Sequence, residues 1–497
     1  VCLIMLLEIF LILCVVLLII KFKTKNAVYW KKKNVLEIGD LFWAFSFDSR
    51  SMPEVSKTVY DKYNEPYIGT YLGSTPALMV KTPEDIQAVF AGDFQSFTNR
   101  GIITNPNDIL ADNLLFMDNF PKWKLIRQKI TPVFTSSKLK NMFYIIEKCA
   151  RDFVKFVENS EQKKHKPFNF LYTYTTSSVG AAVFGIDTQT KDTMDSPFID
   201  MAWKSITPSV KTKVIFFISS VFPKLFQFLQ LKFFGEHEEF FVGVVKNVLE
   251  TRRQDKTGIK RYDFIELCLE LQKLGMMHDP TTGFELYPSD EVIAAQAFFF
   301  FFAGTDTTAN AMHFTLLALS ANQKVLAKLH EEIDSIFKDG KEELTYADID
   351  SLQYLDMVVS EGMRKYPPIG IIQRICTKDT VLPSNVKIEK DTAIIIPVYG
   401  IHRDEKYYPN PDKFDPERFR PDNALNINKY TYLPFGEGNR ICIGVRFARL
   451  QIKAGLAWLL RRYTLAEQSS ETVKFEKSSF GLRDPEARYD FIPRNIK

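Results

Sequence analysis

The sequence predicts a mainly α-helical protein: a large helical body with a small β-rich part, preceded by one N-terminal transmembrane helix. Three observations predict it. The first twenty residues form an almost wholly apolar run. Helical patterning then dominates residues 122–274, 290–319, 346–365 and 445–462, with short extended runs confined to about 47–89. No internal repeat or low-complexity linker divides residues 41–497, so these read as one unit, large for a single domain.

The apolar run at 1–20 contains Glu8 as its only charge. A helix of that length rises ~30 Å, the thickness of a bilayer core. Lys21, Lys23, Lys25, Lys31, Lys32 and Lys33 follow it. Positive charge stays on the cytoplasmic side, which places the body in the cytosol. A cleaved secretory signal is the competing reading. Against it, the run is long, the basic residues lie behind it, and no small-residue cleavage site follows. The chain thus divides into an anchor at 1–20, a basic linker at 21–40 and a body at 41–497.

In the body, Tyr67–Leu72 and residues 77–80 read as strands. Helices are expected over 143–156 and 240–252, as one long apolar helix over 290–319, as a second helix from Tyr346 to Lys365, and from Val445 to Arg462. A proline-rich irregular stretch, 408–434, leads into a glycine-rich loop before the last of these.

Composition narrows the function. Sixty-four Lys and Arg against 60 Asp and Glu give a net charge of +4, too small to suggest nucleic-acid binding. The six cysteines, Cys2, Cys14, Cys149, Cys268, Cys376 and Cys442, form no C-x-x-C pair. Neither a structural zinc site nor a disulfide framework is indicated. No N-x-[ST] sequon occurs, consistent with a cytosolic body. Forty-three Phe residues supply either a phenylalanine-rich core or surfaces for apolar ligands.

The chemistry is concentrated between Phe435 and Gly444, which read FGEGNRICIG. Three glycines let this backbone approach a flat ligand closely. Cys442 stands just before the helix starting at Val445, where free amides and the helix dipole favour a thiolate. The segment resembles the haem-binding signature of the cytochrome P-450 superfamily, F-x-x-G-x-R-x-C-x-G, at all five fixed positions: Phe435, Gly438, Arg440, Cys442 and Gly444. The resemblance covers essentially the whole chain and is nearest the microsomal branch with insect xenobiotic-metabolising and vertebrate drug-metabolising members. One departure is the absence of proline before Pro53, where the family usually has a proline-rich hinge.

The resemblance implies haem b with Cys442 as its axial thiolate, O2 as cosubstrate, and monooxygenation of small lipophilic substrates, either xenobiotics or endogenous lipids. NADPH electrons would arrive through a separate reductase, with a cytochrome b-type protein as a second donor, and the location implied is the endoplasmic reticulum membrane. Trp123 and Arg127, one helical turn apart, would hold the haem propionates together with Arg374 and Arg440. Glu361 and Arg364, followed by Tyr366-Pro-Pro and later by Arg418, match the family's charged cluster beneath the cysteine loop. Asp306 and Thr307 correspond to its acid–alcohol pair for proton delivery. The Thr307 hydroxyl should bond back to the Ala303 carbonyl and loosen the helix there.

Five consecutive phenylalanines, 298–302, precede that pair. If Ala303 and Thr307 face the haem, helical spacing turns Phe299 and Phe302 toward the same side and the others into the core. The resemblance adds Phe116, Ile369, Ile372 and Phe480 as pocket neighbours. Between Val214 and Phe234 the chain is apolar on nearly every side, interrupted by Pro223, Lys224, Gln227, Gln230 and Lys232. Two readings stand: a core segment, or a second contact with the bilayer. A haem-thiolate isomerase or dehydratase, and a non-catalytic haem sensor or lipophile carrier, are the alternative functions; the Asp306–Thr307 pair argues against both.

Overall fold

The computed structural model describes residues 29–160, 166–185, 197–207, 209–258, 261–338, 341–477 and 481–495. The expected anchor at 1–20, residues 21–28 and Phe480 lie outside the described residues.

The main sheet of the β part has five strands, β1 (Glu37–Asp40), β2 (Tyr67–Leu72), β3 (Thr75–Val80), β4 (Ile372–Ile375) and β5 (Ala393–Ile396), in the order β1-β2-β3-β5-β4, beside three two-stranded sheets among the described residues. β2 and β3 form a hairpin, Tyr67 opposite Val80 and Leu72 opposite Thr75, while β3 and β5 run parallel. Of the expected linker at 21–40, the described residues 29–40 pack against the sheet. Trp30 is completely buried and donates its indole N–H to the Thr70 carbonyl at 2.8 Å. A Cβ at Gly69 would stand 2.6 Å from its ring, so glycine there is a steric requirement. β1 then pairs with β2 in parallel.

The helices that frame the site are α1 (Leu41–Phe47), α2 (Phe120–Ile130), α3 (Ser136–Asn159), α4 (Pro167–Phe184), α5 (Val210–Val221), α6 (Pro223–Phe228), α7 (Gly235–Gln254), α8 (Asp290–Ser320), α9 (Gln353–Lys365) and α10 (Val445–Arg462). α8 is the axis. Its 31 residues extend about 46 Å. The Ser289 hydroxyl caps it by accepting from the Val292 amide, and Asp290 and Glu291 occupy its first turn, where negative charge suits the dipole. Being apolar all round, it must be covered all round, and α4, α7, α9 and α10 do this. Among the described residues it is the one helix long and apolar enough to cross a membrane; its burial identifies it as a core helix.

The helix expected from Tyr346 to Lys365 is two helices. Tyr346–Ser351 ends at Leu352, whose ψ of 84° leaves the helical region. α9 restarts there because Glu332 accepts from the free amides of Tyr354 and Leu355 at 2.7 and 2.8 Å. α5 and α6 likewise break at Phe222 and Pro223, which excludes a straight span through 214–234.

Candidate active site

One cavity of about 360 Å³ lies between α8, α10 and the edge of the sheet. Cys442 opens onto it from the loop before α10. Its amide donates to the Phe435 carbonyl at 3.0 Å, closing the loop on itself. The loop can do so because Gly436 and Gly438 take φ of +68° and +74°, a region that costs other residues energy. At Gly438 space decides too: a Cβ would stand 2.1 Å from the Phe90 carbonyl oxygen. Cys442 is exposed and lines the cavity. Burial within the protein pushes its thiol up, opposed by the Gly444 amide, Arg127 and Arg100.

Four guanidinium groups, from Arg100, Arg127, Arg374 and Arg440, line the same cavity. Arg127 donates to the Ile441 carbonyl at 2.9 Å and Arg100 to the Arg440 carbonyl at 3.2 Å, tying α2 and the preceding loop to the cysteine segment. Arg440 donates to the Met117 carbonyl at 3.1 Å and stacks 4.3 Å above Trp123. Arg374, on β4, lies over Phe90 at 5.0 Å. None of the four has an ion pair among the described residues. Buried nitrogens of Arg100, Arg374 and Arg440 have no hydrogen-bond partner. Burial and mutual repulsion pull Arg440 down to about 9 and Arg374 well below its ordinary value. So much unmatched positive charge requires an anion. A flat dicarboxylate bounded by a thiolate donor fits the set, and haem is that group.

Arg100 was not evident from sequence. It follows Asn99, which forms a β-bridge with Ile375, so sheet pairing sets it beside Arg374. Phe435, also expected near the cofactor, lines the cavity, with Arg449 stacked 5.8 Å above its ring.

α8 supplies another wall through Phe299, Phe302, Ala303, Asp306 and Thr307. The Thr307 hydroxyl donates to the Ala303 carbonyl at 2.7 Å as expected, but α8 remains α-helical through this point. The expected loosening is absent: the bond adds to the backbone ladder without breaking it. Asp306 is partly buried, with Arg483 Nε 3.1 Å from its carboxylate. Burial raises its pKa, and Arg483 opposes this.

Ile369 and Ile372 line the cavity; Phe116 does not. Phe116 packs at 5.4 Å against Phe234, itself 6.2 Å from Phe302, one ring behind the lining. Phe298 and Phe301 are fully buried against Phe241 at 4.9 and 5.4 Å. Phe300 packs on Phe264 and Phe134 yet also reaches the cavity, because a broad ring spans more of the helix circumference than spacing allows for. These positions predict a separation of effects. Phe299→Ala should alter product distribution with little change in stability, whereas Phe301→Ala should cost about 3–5 kcal/mol and spare selectivity. Product ratios and unfolding midpoints test this; a larger selectivity change from Phe301→Ala would overturn the assignment.

Under the cysteine loop the structure joins Glu361, Arg364 and Arg418. Glu361 and Arg364 are wholly buried on α9 and meet in a fork at 2.7 and 2.9 Å. Arg418 lies 3.4 Å from Glu361. Arg364 also donates to the carbonyls of His402 and Pro411, both at 2.7 Å. His402, which sequence reasoning missed, extends the chain. Its Nδ1 donates to the Arg364 carbonyl at 3.0 Å and its Nε2 accepts from the Leu433 amide at 2.8 Å. Leu433 is two residues before Phe435, so the cluster reaches the cysteine loop through covalent chain.

Comparison with known proteins agrees with this geometry. The family model described as Cytochrome P450 matches residues 32–491. Cytochrome P450 6B7 of Helicoverpa armigera is 34% identical over 495 residues, 95% of each chain. Probable cytochrome P450 6a13 of Drosophila melanogaster is 35% identical over 472 residues, 92% of this chain and 90% of that protein. Cytochrome P450 6k1 of Blattella germanica is 31% identical over 476 residues, 91% and 90% of the two chains.

Proposed function

The chain belongs to the cytochrome P450 family, and from that premise we propose how its own residues perform the family's haem-thiolate monooxygenation. The enzyme uses O2, with NADPH electrons delivered by a separate reductase. When bound, haem supplies oxygen activation and the insertion itself. Cys442 would hold the haem iron through its thiolate, and the glycines of its loop would let the ligand lie against the backbone. Arg100, Arg127, Arg374 and Arg440 would neutralise the propionates, the planar fork of arginine suiting a carboxylate, while Trp123 supports Arg440 through its ring.

The observation that carries this reading is the convergence of Cys442, the four unpaired arginines and the Ala303–Thr307 turn on one cavity. Phe299, Phe302, Ile369 and Ile372 give the remaining wall an apolar, partly aromatic character, suited to holding a small lipophile and excluding water. Such substrates are xenobiotics or endogenous lipids. Thr307 presents its hydroxyl oxygen to the cavity and passes protons that Asp306 supplies. Thr307→Ala should therefore lower product per NADPH on the order of tenfold or more, with peroxide formed instead. Unchanged product per NADPH would reduce Thr307 to a helix residue.

We place the body on the cytosolic face of the endoplasmic reticulum membrane, held by residues 1–20 and by a second apolar contact. α5 and α6 expose Val210, Val214, Phe217, Leu225 and Phe228, the last 82% exposed, while Phe226 is buried and anchors the pair. α1 extends the patch: Phe42 and Trp43 contact Phe217 at 6.2 and 6.3 Å, and Phe47 is 77% exposed. So large a contiguous apolar surface calls for a partner, and a lipid surface suits aromatic rings flanked by Lys211, Lys213 and Lys224. A variant lacking residues 1–25 should still bind liposomes, and Phe217→Asp with Phe228→Asp should reduce that binding on the order of tenfold. A truncated protein with no affinity for liposomes would exclude the second contact.

A further inference from the structure

Asp306 has a polar surrounding on the side away from Cys442 that the reading above does not use. Arg483, from the C-terminal loop, places Nε 3.1 Å from the Asp306 carboxylate and donates through Nη1 to Glu476 at 2.8 Å. The Arg483 side chain is 10% exposed and that of Glu476 is 41% exposed. The three therefore run from solvent, through a buried guanidinium, to a carboxylate on the cavity wall.

The loop is built to hold this position. The Glu476 amide donates to the Arg483 carbonyl at 2.8 Å. The next residue, Asp484, accepts from the amides of Lys474, Glu486 and Ala487, and its carbonyl receives His313 of α8 at 3.0 Å. His313 is fully buried and also bonds Tyr489 at 3.0 Å. The backbone bearing Arg483 is thus pinned to α8 at His313, about two helical turns from Asp306. Yet the contact with Asp306 itself is incomplete. Asp306 Oδ1, Arg483 Nε, Asn310 Oδ1 and the Tyr172 hydroxyl are all buried without a hydrogen-bond partner. Tyr172, on α4, is sensitive to the charges of both Asp306 and Arg483. Buried polar atoms left open together are where water enters and where a side chain can exchange partners.

From this geometry we propose that Arg483 is the positioning residue of a proton inlet, bridging solvent-facing Glu476 to Asp306 and aiming the Asp306 carboxylate at the cavity beside Thr307. The inference rests on the role given above to Asp306 and Thr307. Each proton that Asp306 releases toward Thr307 leaves a carboxylate, which Arg483 stabilises until a proton from water on the Glu476 side restores the acid. The groups facing Asp306 are Arg483 and Glu476 from the loop, Tyr172 from α4 and Asn310 from its own helix. Burial raises the Asp306 pKa while Arg483 lowers it. Removing Arg483 leaves burial unopposed, so Asp306 should hold its proton to higher pH.

The test uses the full-length holoenzyme with Arg483→Leu, Arg483→Lys, Glu476→Gln, Asp306→Asn and Thr307→Ala. Product per NADPH should fall on the order of tenfold in Arg483→Leu, with its pH profile displaced upward, and Arg483→Lys should restore most of it. Glu476→Gln, a change at the surface, should give a smaller loss of the same kind. Independently of turnover, infrared difference spectra at neutral pH should show a protonated carboxyl band in Arg483→Leu that disappears when Asp306→Asn is added. If Thr307→Ala and Asp306→Asn uncouple turnover while Arg483→Leu changes neither coupling nor the carboxyl band, the inlet is overturned and the acid–alcohol reading stands. If none of them uncouples turnover, both are overturned. Should Arg483→Leu fail to fold, unchanged coupling and pH profile in both Arg483→Lys and Glu476→Gln would still overturn the inlet.

Discussion

Cys442→Ser should abolish the long-wavelength Soret band that the reduced, carbon monoxide-treated protein otherwise gives, and with it all monooxygenase turnover. The expectation follows from position. Of the described cysteines, Cys268 is fully buried and Cys376 is committed to the Lys378 carbonyl at 2.9 Å. Cys149 lies on α3, away from the cavity wall. Only Cys442 lines the cavity, with the Gly444 amide, Arg127 and Arg100 lowering the thiol against burial. Serine keeps the loop geometry, including the amide bond to Phe435, but its hydroxyl does not ionise near neutral pH and cannot push electron density as a thiolate does. The variant should therefore fold and lose the spectrum. Absorbance of the purified, folded variant decides it: retention of the characteristic band would assign the axial ligand elsewhere.

What the sequence disclosed and what it withheld divide along physical lines. The cysteine loop was legible because its requirements are local: glycines at positive φ, a helix start, a cysteine between them. α8 was legible because a long, mostly apolar run from Asp290 admits little else. The phase of the five phenylalanines followed from helical spacing, apart from Phe300. Arg100, His402 and Arg483 could not be found this way. Each owes its place to a long-range pairing, namely the Asn99–Ile375 bridge, the Arg364–His402–Leu433 chain and the loop pinned by His313. No periodicity in their own segments marks them. Trp30 is similar: among lysines it reads as linker, and only the space over Gly69 makes it core. Phe116, which the resemblance put beside the pocket, stands one ring behind its lining, against Phe234.

Arg364→Ala should destabilise the protein by about 3–5 kcal/mol, the cost of leaving one partner of a buried ion pair uncompensated. Against a total of about 5–15 kcal/mol for a folded domain, little haem-loaded protein should survive at 37 °C. Glu361 loses its fork and retains only the Asp415 amide at 2.9 Å and Arg418 at 3.4 Å. The carbonyls of His402 and Pro411 lose their donor at the same time, and with His402 the support of Leu433 loosens. Lysine cannot replace the fork, since a point charge has no planar set of donors to meet a carboxylate and two carbonyls together; Arg364→Lys should fall between wild type and alanine. The informative variant is the double one. Glu361→Leu with Arg364→Met removes both charges of the fork, leaving unpaired backbone groups at about 1–3 kcal/mol each and Arg418 with the Asn410 carbonyl at 2.9 Å in place of its carboxylate, so it should be no less stable than the worse of the two single variants. Unfolding midpoints and haem retained per protein measure this. If Arg364→Ala kept the wild-type midpoint, the cluster would not be what holds the cysteine loop. If the double variant lost the sum of both single losses, the two side chains would be acting through separate partners rather than through each other.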